Sequence, residues 1–249
     1  MPKEYIENNQ GRKICSEFPY KFMIRGVIMS NYDINSNPAL VKLMIENSKK
    51  ASEKYFAERP DSLIPLFEQE LHALGFQFEV SEQIKQFLPK HKKPILPIAI
   101  KYYQQATYDN EKNFFISLFG YKGFEEVIPM LLNDFYSDKT ASLTRQFIGE
   151  TLRIICSKKY IDDYLRIIAS PQYGLARAPI FSIVGKLKVE QAIPILINLL
   201  EVDEEFAPCA LQTLGVYKRF ELRPYFEHFI NSSDMNMRKI ASTALKKME

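Results

Sequence analysis

The sequence predicts an all-α fold, in which about six helical hairpins stack as an α-solenoid behind an N-terminal helical cap. Only 9 of the 249 residues are glycine, and hydrophobic residues make up 46% of the chain, which gives helices ample apolar area to bury. Few stretches alternate polar and apolar residues at period two, as half-buried strands would. The third observation is a proline that recurs inside apolar clusters.

The recurring prolines mark the predicted units. They stand at Pro65, Pro97, Pro129, Pro194 and Pro224. Their spacings are 32, 32, 65 and 30 residues, and segment 162–168 divides the long interval into 36 and 29, with Leu165 in the proline's place. Because proline fits the first turn of a helix without losing an intrahelical hydrogen bond, each proline is expected near the start of the second helix of a hairpin, helix B.

A second mark precedes the first by nine residues. It falls at Gly120, Gly185 and Gly215, with Cys156 in the corresponding place before Leu165. Glycine accepts the left-handed backbone that ends many helices, so these positions are predicted to be C-caps of the first helix, helix A. Small residues on the A helices, at Ala210, Ala241 and Ala244, are expected to let neighbouring hairpins approach closely.

The predicted units follow one another along the chain. Residues 1–36 form the N-terminal cap segment, and residues 37–249 form the solenoid, which opens at Asn37-Pro38. The repeats are predicted at about 37–75, 81–106, 108–136, 139–169, 174–202 and 203–231, with a closing helix at 234–249.

These paired glycines and prolines resemble the HEAT repeats, most closely the short HEAT-like units first described in phycobilisome lyases. The likeness covers about residues 58–249 and is clearest over 175–249. It implies a right-handed, armadillo-like stack whose B helices line a concave groove. Such stacks serve many unrelated partners, so the resemblance implies the fold and leaves the function open.

The B helices carry an apolar core stripe, one residue before and two and six residues after each proline, and, opposite to it, a polar ladder. These helices contain eleven acidic residues and only three basic ones, so the groove is predicted to be acidic and rich in amides. Positions three before and four after each proline form the ladder, and Tyr225 lies one residue after its proline. The candidate partner-binding residues are Glu126, Asn133, Asp162, Asn198, Glu221, Tyr225 and His228. An acidic groove attracts cationic partners and repels phosphate.

Basic residues collect on the A helices and turns. The run Lys90, Lys92 and Lys93 is the alternative candidate site, for a nucleic acid. The whole chain has a net charge of only +3 and a pI near 8.5, which is less basic than expected of a domain that binds chiefly through phosphates. A protein partner is therefore favoured over a nucleic acid.

No catalytic, metal or cofactor site is predicted. The chain lacks tryptophan, which the alkylpurine glycosylases of this architecture use, and none of its three histidines is followed by glutamate, as the iron sites of the deoxyhypusine hydroxylases require. No phosphate-binding loop, GxSxG elbow or HExxH helix occurs. Three scattered cysteines and the absence of a leader or a membrane span predict a cytoplasmic protein.

The favoured function is therefore a non-enzymatic scaffold or inhibitor, which binds a partner protein with a basic patch in the acidic and amide groove. The alternative is a HEAT-like nucleic-acid binder that uses A-helix and turn lysines without glycosylase chemistry. An enzyme whose site the motifs do not reveal is the third hypothesis.

Overall fold

The structure is a computed structural model, and it describes residues 5–7, 13–15 and 38–248. The chain divides into two compact units. The first comprises Met1–Ser62 and His72–Phe87, and the second comprises Leu63–Leu71 and Leu88–Glu249. Helices dominate the described residues, as the sequence predicts.

The first unit contains a short hairpin, a long helix and an aromatic cluster. Strands β1 (Tyr5–Glu7) and β2 (Lys13–Cys15) pair antiparallel, with Ile6 opposite Ile14. Helix α1 spans Pro38–Glu58, and a 3-10 turn at Ser81–Gln83 leads into α3 at Ile84–Phe87. The ring of His72 stacks on Phe78 with 4.3 Å between centroids.

The helical cap predicted over residues 1–36 is wrong at the two strands. Each strand places an isoleucine between two polar or amphipathic residues, and β-branched residues in such short alternation favour extended backbone over helix. The remainder of that prediction lies outside the described residues.

The second unit is built from alternating helices. Its first helix is α2 (Ile64–Ala73), whose residues up to Leu71 belong to this unit. The others are α4 (Lys92–Gln105), α5 (Asp109–Phe119), α6 (Ile128–Tyr136), α7 (Ser142–Ile155), α8 (Ile161–Ile168), α9 (Ala178–Lys186), α10 (Ala192–Val202), α11 (Ala207–Tyr217), α12 (Arg223–Phe229) and α13 (Met235–Leu245). The helices at the predicted A positions are α5, α7, α9, α11 and α13. Those at the B positions are α2, α4, α6, α8, α10 and α12.

The A helices pack side by side in chain order: α5 on α7, α7 on α9, α9 on α11, and α11 on α13. Contacts at both ends show that neighbours run parallel. Near the N-termini, Thr144 donates a hydrogen bond to Asp109 across 3.4 Å. Near the C-termini, a Cβ placed on Gly215 of α11 would lie 3.2 Å from Cβ of Ala244 of α13. The turns that follow the A helices therefore lie along one edge of this layer.

The glycines serve this packing, and the predicted left-handed caps are wrong. Gly185 and Gly215 are helical residues inside α9 and α11, and Gly120 ends α5 with φ −73°. A Cβ on Gly185 would lie 3.1 Å from Cγ2 of Thr213, so the neighbouring A helix leaves little room for a side chain. The close approach predicted at Ala244 is confirmed by its contact with Gly215.

The left-handed caps fall on other residues. Cys156 has φ 55° and ends α7, while Lys188 and Lys218, with φ 50° and 54°, each come three residues after an A-helix glycine. Helices α9 and α11 thus continue one and two residues beyond their glycines before the chain turns. Among the predicted cap positions, only Cys156 both ends its helix and has the left-handed conformation.

The prolines lie near the start of most B helices. Pro65, Pro129 and Pro224 are the second residues of their helices, and Pro194 is the third. Pro97 is the exception, because it lies inside α4, which begins at Lys92. There Pro94 occupies the first turn and provides the proline-compatible start.

The predicted core stripe is buried in most B helices of the second unit. Ile128, Leu131 and Phe135 of α6 are fully buried. In α10 the predicted Ile193 and Leu200 are only half-buried. Among the described residues, no helix combines the length and the apolar character needed to cross a membrane.

Candidate protein-binding surface

The residues predicted to form the polar ladder lie on the surface of the second unit. Tyr225 is half-buried, and the other six are exposed: Glu126, Asn133, Asp162, Asn198, Glu221 and His228. Asp162 and Asn198 belong to α8 and α10, two B helices that pack against each other. Among the described residues, no hydrogen bond or ion pair joins one ladder residue to another.

The three ladder acids differ in their surroundings. Glu126 forms an ion pair with Lys92 at 2.7 Å, and Glu221 forms one with Arg219 at 3.3 Å. Asp162 is exposed and has no ion-pair partner among the described residues. The open negative charge of the ladder is therefore concentrated at Asp162.

The alternative basic run contributes to this neutralisation. Lys92 bonds both to Glu126 and, at 2.6 Å, to the carbonyl oxygen of Gly123. Lys92 therefore cannot offer a free charge to a phosphate, whereas Lys90 and Lys93 are exposed. Glu126 and Lys92, which the sequence assigns to two different candidate sites, therefore neutralise each other.

Most other acids counted on the B helices are also partnered. Their partners come from the turns, from α5, from the same helix or from a neighbouring B helix: Glu70 with Lys101 (2.7 Å), Glu125 with Lys159 (2.8 Å), Asp134 with Lys112 (3.1 Å), Asp163 with Tyr136 (2.8 Å), Glu190 with Arg219 (2.5 Å) and Glu227 with Arg223 (2.7 Å). Lys101 and Arg223 are themselves B-helix residues and Tyr136 carries no charge, so the predicted excess of negative charge is compensated only in part within the chain.

These pairs fix the charge states of their members. The hydrogen bond from Lys159 lowers the pKa of Glu125, and the same bond raises the pKa of Lys159. Burial, followed by the hydrogen bond to Asp134, raises the pKa of Tyr103 far above its usual value, so its hydroxyl remains a donor. The arrangement favours stable ion pairs.

An apolar row runs beside the polar ladder. Its members follow the proline position by one residue on five B helices, and we call Leu66, Ile98, Met130, Ile195 and Tyr225 the B-face row. Leu66 is 49% exposed and the other four are half-buried. Ile195 belongs to the row by its place directly after Pro194.

The residues with reactive or metal-binding side chains do not converge. His228 contacts its neighbour Phe229 edge to face, at 4.9 Å between centroids. Cys156 and Cys209 are free and half-buried, and burial raises the pKa of the Cys209 thiol. Within the described ranges, no three histidine, cysteine or acidic residues lie close enough together to hold a metal ion.

Searches of protein-family models, of curated proteins and of solved structures found no match to this chain. Its fold and its surfaces are therefore the basis for a functional proposal.

Proposed function

We propose that this chain is a non-enzymatic protein-binding scaffold, a HEAT-like α-solenoid of the cytoplasm that holds a partner protein on its B-helix surface. The observation that carries the proposal is the B-face row. These apolar side chains occupy one register on five of the six B helices, with Arg166 at that register on α8, and partly exposed apolar rows with polar borders are typical of protein interfaces.

The packing of the A helices supports the solenoid. Parallel A helices in direct succession, each joined to the next through a B helix, are the contacts expected when hairpins of about 30 residues stack. Stacked hairpins bring equivalent positions of successive B helices into line, which is the geometry that an extended partner segment requires.

The polar ladder would supply orientation. Asn133 and Asn198 are exposed amides with hydrogen-bonding groups available to a partner, and Asp162 offers an unpaired carboxylate for a cationic group. Glu126 and Glu221 would contribute less, since a partner must displace Lys92 or Arg219 to reach them. The partner is accordingly expected to present apolar anchors and at least one basic side chain opposite Asp162.

The test is affinity capture from a lysate of the source cell with nuclease in every arm. One bait carries serine in place of Met130, Ile195 and Tyr225. A matched bait carries serine in place of Leu143, Val202 and Met235, which are exposed elsewhere at 39%, 66% and 75%. Thermal unfolding of all baits establishes that they fold.

A protein retained by the wild type and the matched bait, and lost by the B-face bait, is the expected result. With that protein in hand, Asp162→Asn should weaken binding more than Glu126→Gln does. Equal retention by all three baits would show that partners do not use this surface.

A further inference from the structure

The turns that follow the A helices form a second surface, which meets the polar ladder at Glu126 and Glu221. We call the segments 90–93, 121–126, 157–160, 186–190, 218–221 and 246–247 the lysine edge. The segment 90–93 leads into α4, the next four segments each connect an A helix to the following B helix, and residues 246–247 follow α13. All six belong to the second unit.

Direct contacts hold neighbouring segments of this edge together. Three bridges cross from one segment to the next: Lys92 to the Gly123 carbonyl (2.6 Å), Lys159 to Glu125 (2.8 Å) and Arg219 to Glu190 (2.5 Å). The contact between Gly215 and Ala244 brings the end of α11, and with it Lys218, beside the end of α13. Segments 157–160 and 186–190 adjoin as well, because they follow α7 and α9, which pack side by side, so the edge is a row of adjoining turns.

The bridges occupy the acids of the edge and leave most of its lysines unpaired. Nine lysines are exposed and have no ion-pair partner among the described residues: Lys90, Lys93, Lys122, Lys158, Lys186, Lys188, Lys218, Lys246 and Lys247. Because every segment contributes at least one of them, the positive charge extends along the whole row.

Charge is separated between the two ends of the helix layer. The turns at the other end, which lead into A helices, carry the exposed acids Asp138, Glu204 and Glu205 and the exposed base Lys139, and Glu201 lies near the end of α10. The small net charge of +3 therefore conceals a basic edge. Such a row of unpaired lysines attracts a polyanion by charge complementarity and by release of its counterions.

Flat side chains alternate with these lysines. Phe220 is 72% exposed and directly follows Lys218 and Arg219. Tyr160 is half-buried after Lys158 and Lys159, and His91 is exposed within its lysine run. An exposed ring next to basic side chains is suited to stacking an unpaired base while the lysines bind phosphates.

We infer that the lysine edge binds single-stranded nucleic acid without sequence preference. The lysines contact the phosphate backbone, and Phe220 stacks a base. A duplex would bury its bases and leave Phe220 without a partner, and an acidic peptide would supply charge without rings to stack. Binding here leaves the B-face row free for a protein.

The experiment measures the anisotropy of a fluorescent oligothymidylate of about 20 nucleotides, long enough to follow a row of six adjoining turns, over a range of salt concentrations. The full chain is compared with a triple variant, Lys122→Gln, Lys188→Gln and Lys218→Gln. Because each single-strand phosphate contact adds about 0.7 to the slope of log K against log salt, this variant should lower the slope by roughly 2.

A matched variant removes three exposed lysines that lie off the edge, through Lys50→Gln, Lys139→Gln and Lys239→Gln. It should keep the wild-type slope, although it loses the same net charge. Phe220→Ala should weaken binding about tenfold while leaving the slope unchanged, since stacking is not ionic.

Two results would overturn the inference. One is equal weakening by the edge variant and the matched variant, which would mean that only net charge matters. The other is equal or tighter binding of the corresponding duplex or of polyglutamate, with Phe220→Ala neutral, which would make the edge a surface for a different polyanion.

Discussion

Arg177 donates a hydrogen bond from Nη2 to Oδ2 of Asp203 across 2.6 Å, and its guanidinium lies 4.0 Å from the centre of the Phe206 ring. Arg177 is 1% exposed and also donates to the carbonyl oxygen of Ile168 at 3.1 Å. It ends the 3-10 segment Pro171–Arg177, while Asp203 precedes α11. The pair therefore connects two turns that are 26 residues apart.

Replacing Arg177 by alanine should lower the free energy of unfolding by about 3–5 kcal/mol, since it leaves a carboxylate without its buried partner. Chemical denaturation measures the loss. Arg153→Ala, which breaks an exposed pair with Glu150, should cost less than about 1 kcal/mol. A double change, Arg177→Met with Asp203→Leu, should recover part of the loss. A further loss would contradict the view that the unpaired carboxylate of Asp203 destabilises Arg177→Ala.

Gly149→Ala should destabilise the chain by about 1–3 kcal/mol, although alanine is the better helix former. A Cβ at this position in α7 would lie 2.9 Å from the carbonyl oxygen of Ala176 and 3.4 Å from Cγ of Pro179, so backbone must move. Ser182→Ala is the control, because Ser182 is exposed on α9. Alanine at this position should stabilise the chain slightly. Thermal unfolding of both variants decides the matter, and a stabilised Gly149→Ala would refute the close contact.

Stability should fall as pH rises from about 10 to 12. Burial raises the pKa of Tyr217 to about 12, and its hydroxyl donates to the carbonyl oxygen of Val189 at 2.6 Å. An unfolded tyrosine loses its proton near 10, so within this window the unfolded chain ionises while the folded chain remains protonated. Melting temperatures measured across the window should fall less steeply for Tyr217→Phe. If the melting temperatures of the wild type and Tyr217→Phe fell equally with pH, the raised pKa of Tyr217 would not be the cause.

Lys188→Gly should stabilise the chain by up to about 1 kcal/mol, because Lys188 has φ 50° and glycine takes that conformation without a Cβ penalty. Lys186→Gly is the matched change, since Lys186 is the last residue of α9 and glycine weakens a helix. Denaturation of the two variants should give opposite signs. Destabilisation by both would mean that the left-handed conformation of Lys188 carries no strain.

The sequence predicts the helices well because the core is encoded locally. Ile128, Leu131 and Phe135 lie on one face of a helix by spacing alone, and all three are buried. The role of the glycines was not predictable in this way. A glycine near the end of a helix suits both a cap and a close helix contact, and only the position of Thr213 beside Gly185 distinguishes the two.

The charge of the B face was harder to predict for a related reason. A count of acids along helices omits the bases that reach them from the next turn. Lys159 meets Glu125, and Lys92 meets Glu126 from 34 residues away, so compensation depends on how neighbouring turns pack and on side-chain reach. Among the predicted residues, Asp162, Asn133, Asn198 and His228 are exposed and remain open to a partner.

The bridges between adjoining turns also bear on how such a chain can change its length during evolution. Lys92 and Glu126 are 34 residues apart, and Tyr103 and Asp134 are 31 apart. Duplication of a gene segment that encodes one such interval would create a unit with a donor for one neighbour and an acceptor for the other. Insertion of a fraction of that interval would separate the partners, so viable lengths should differ by whole units.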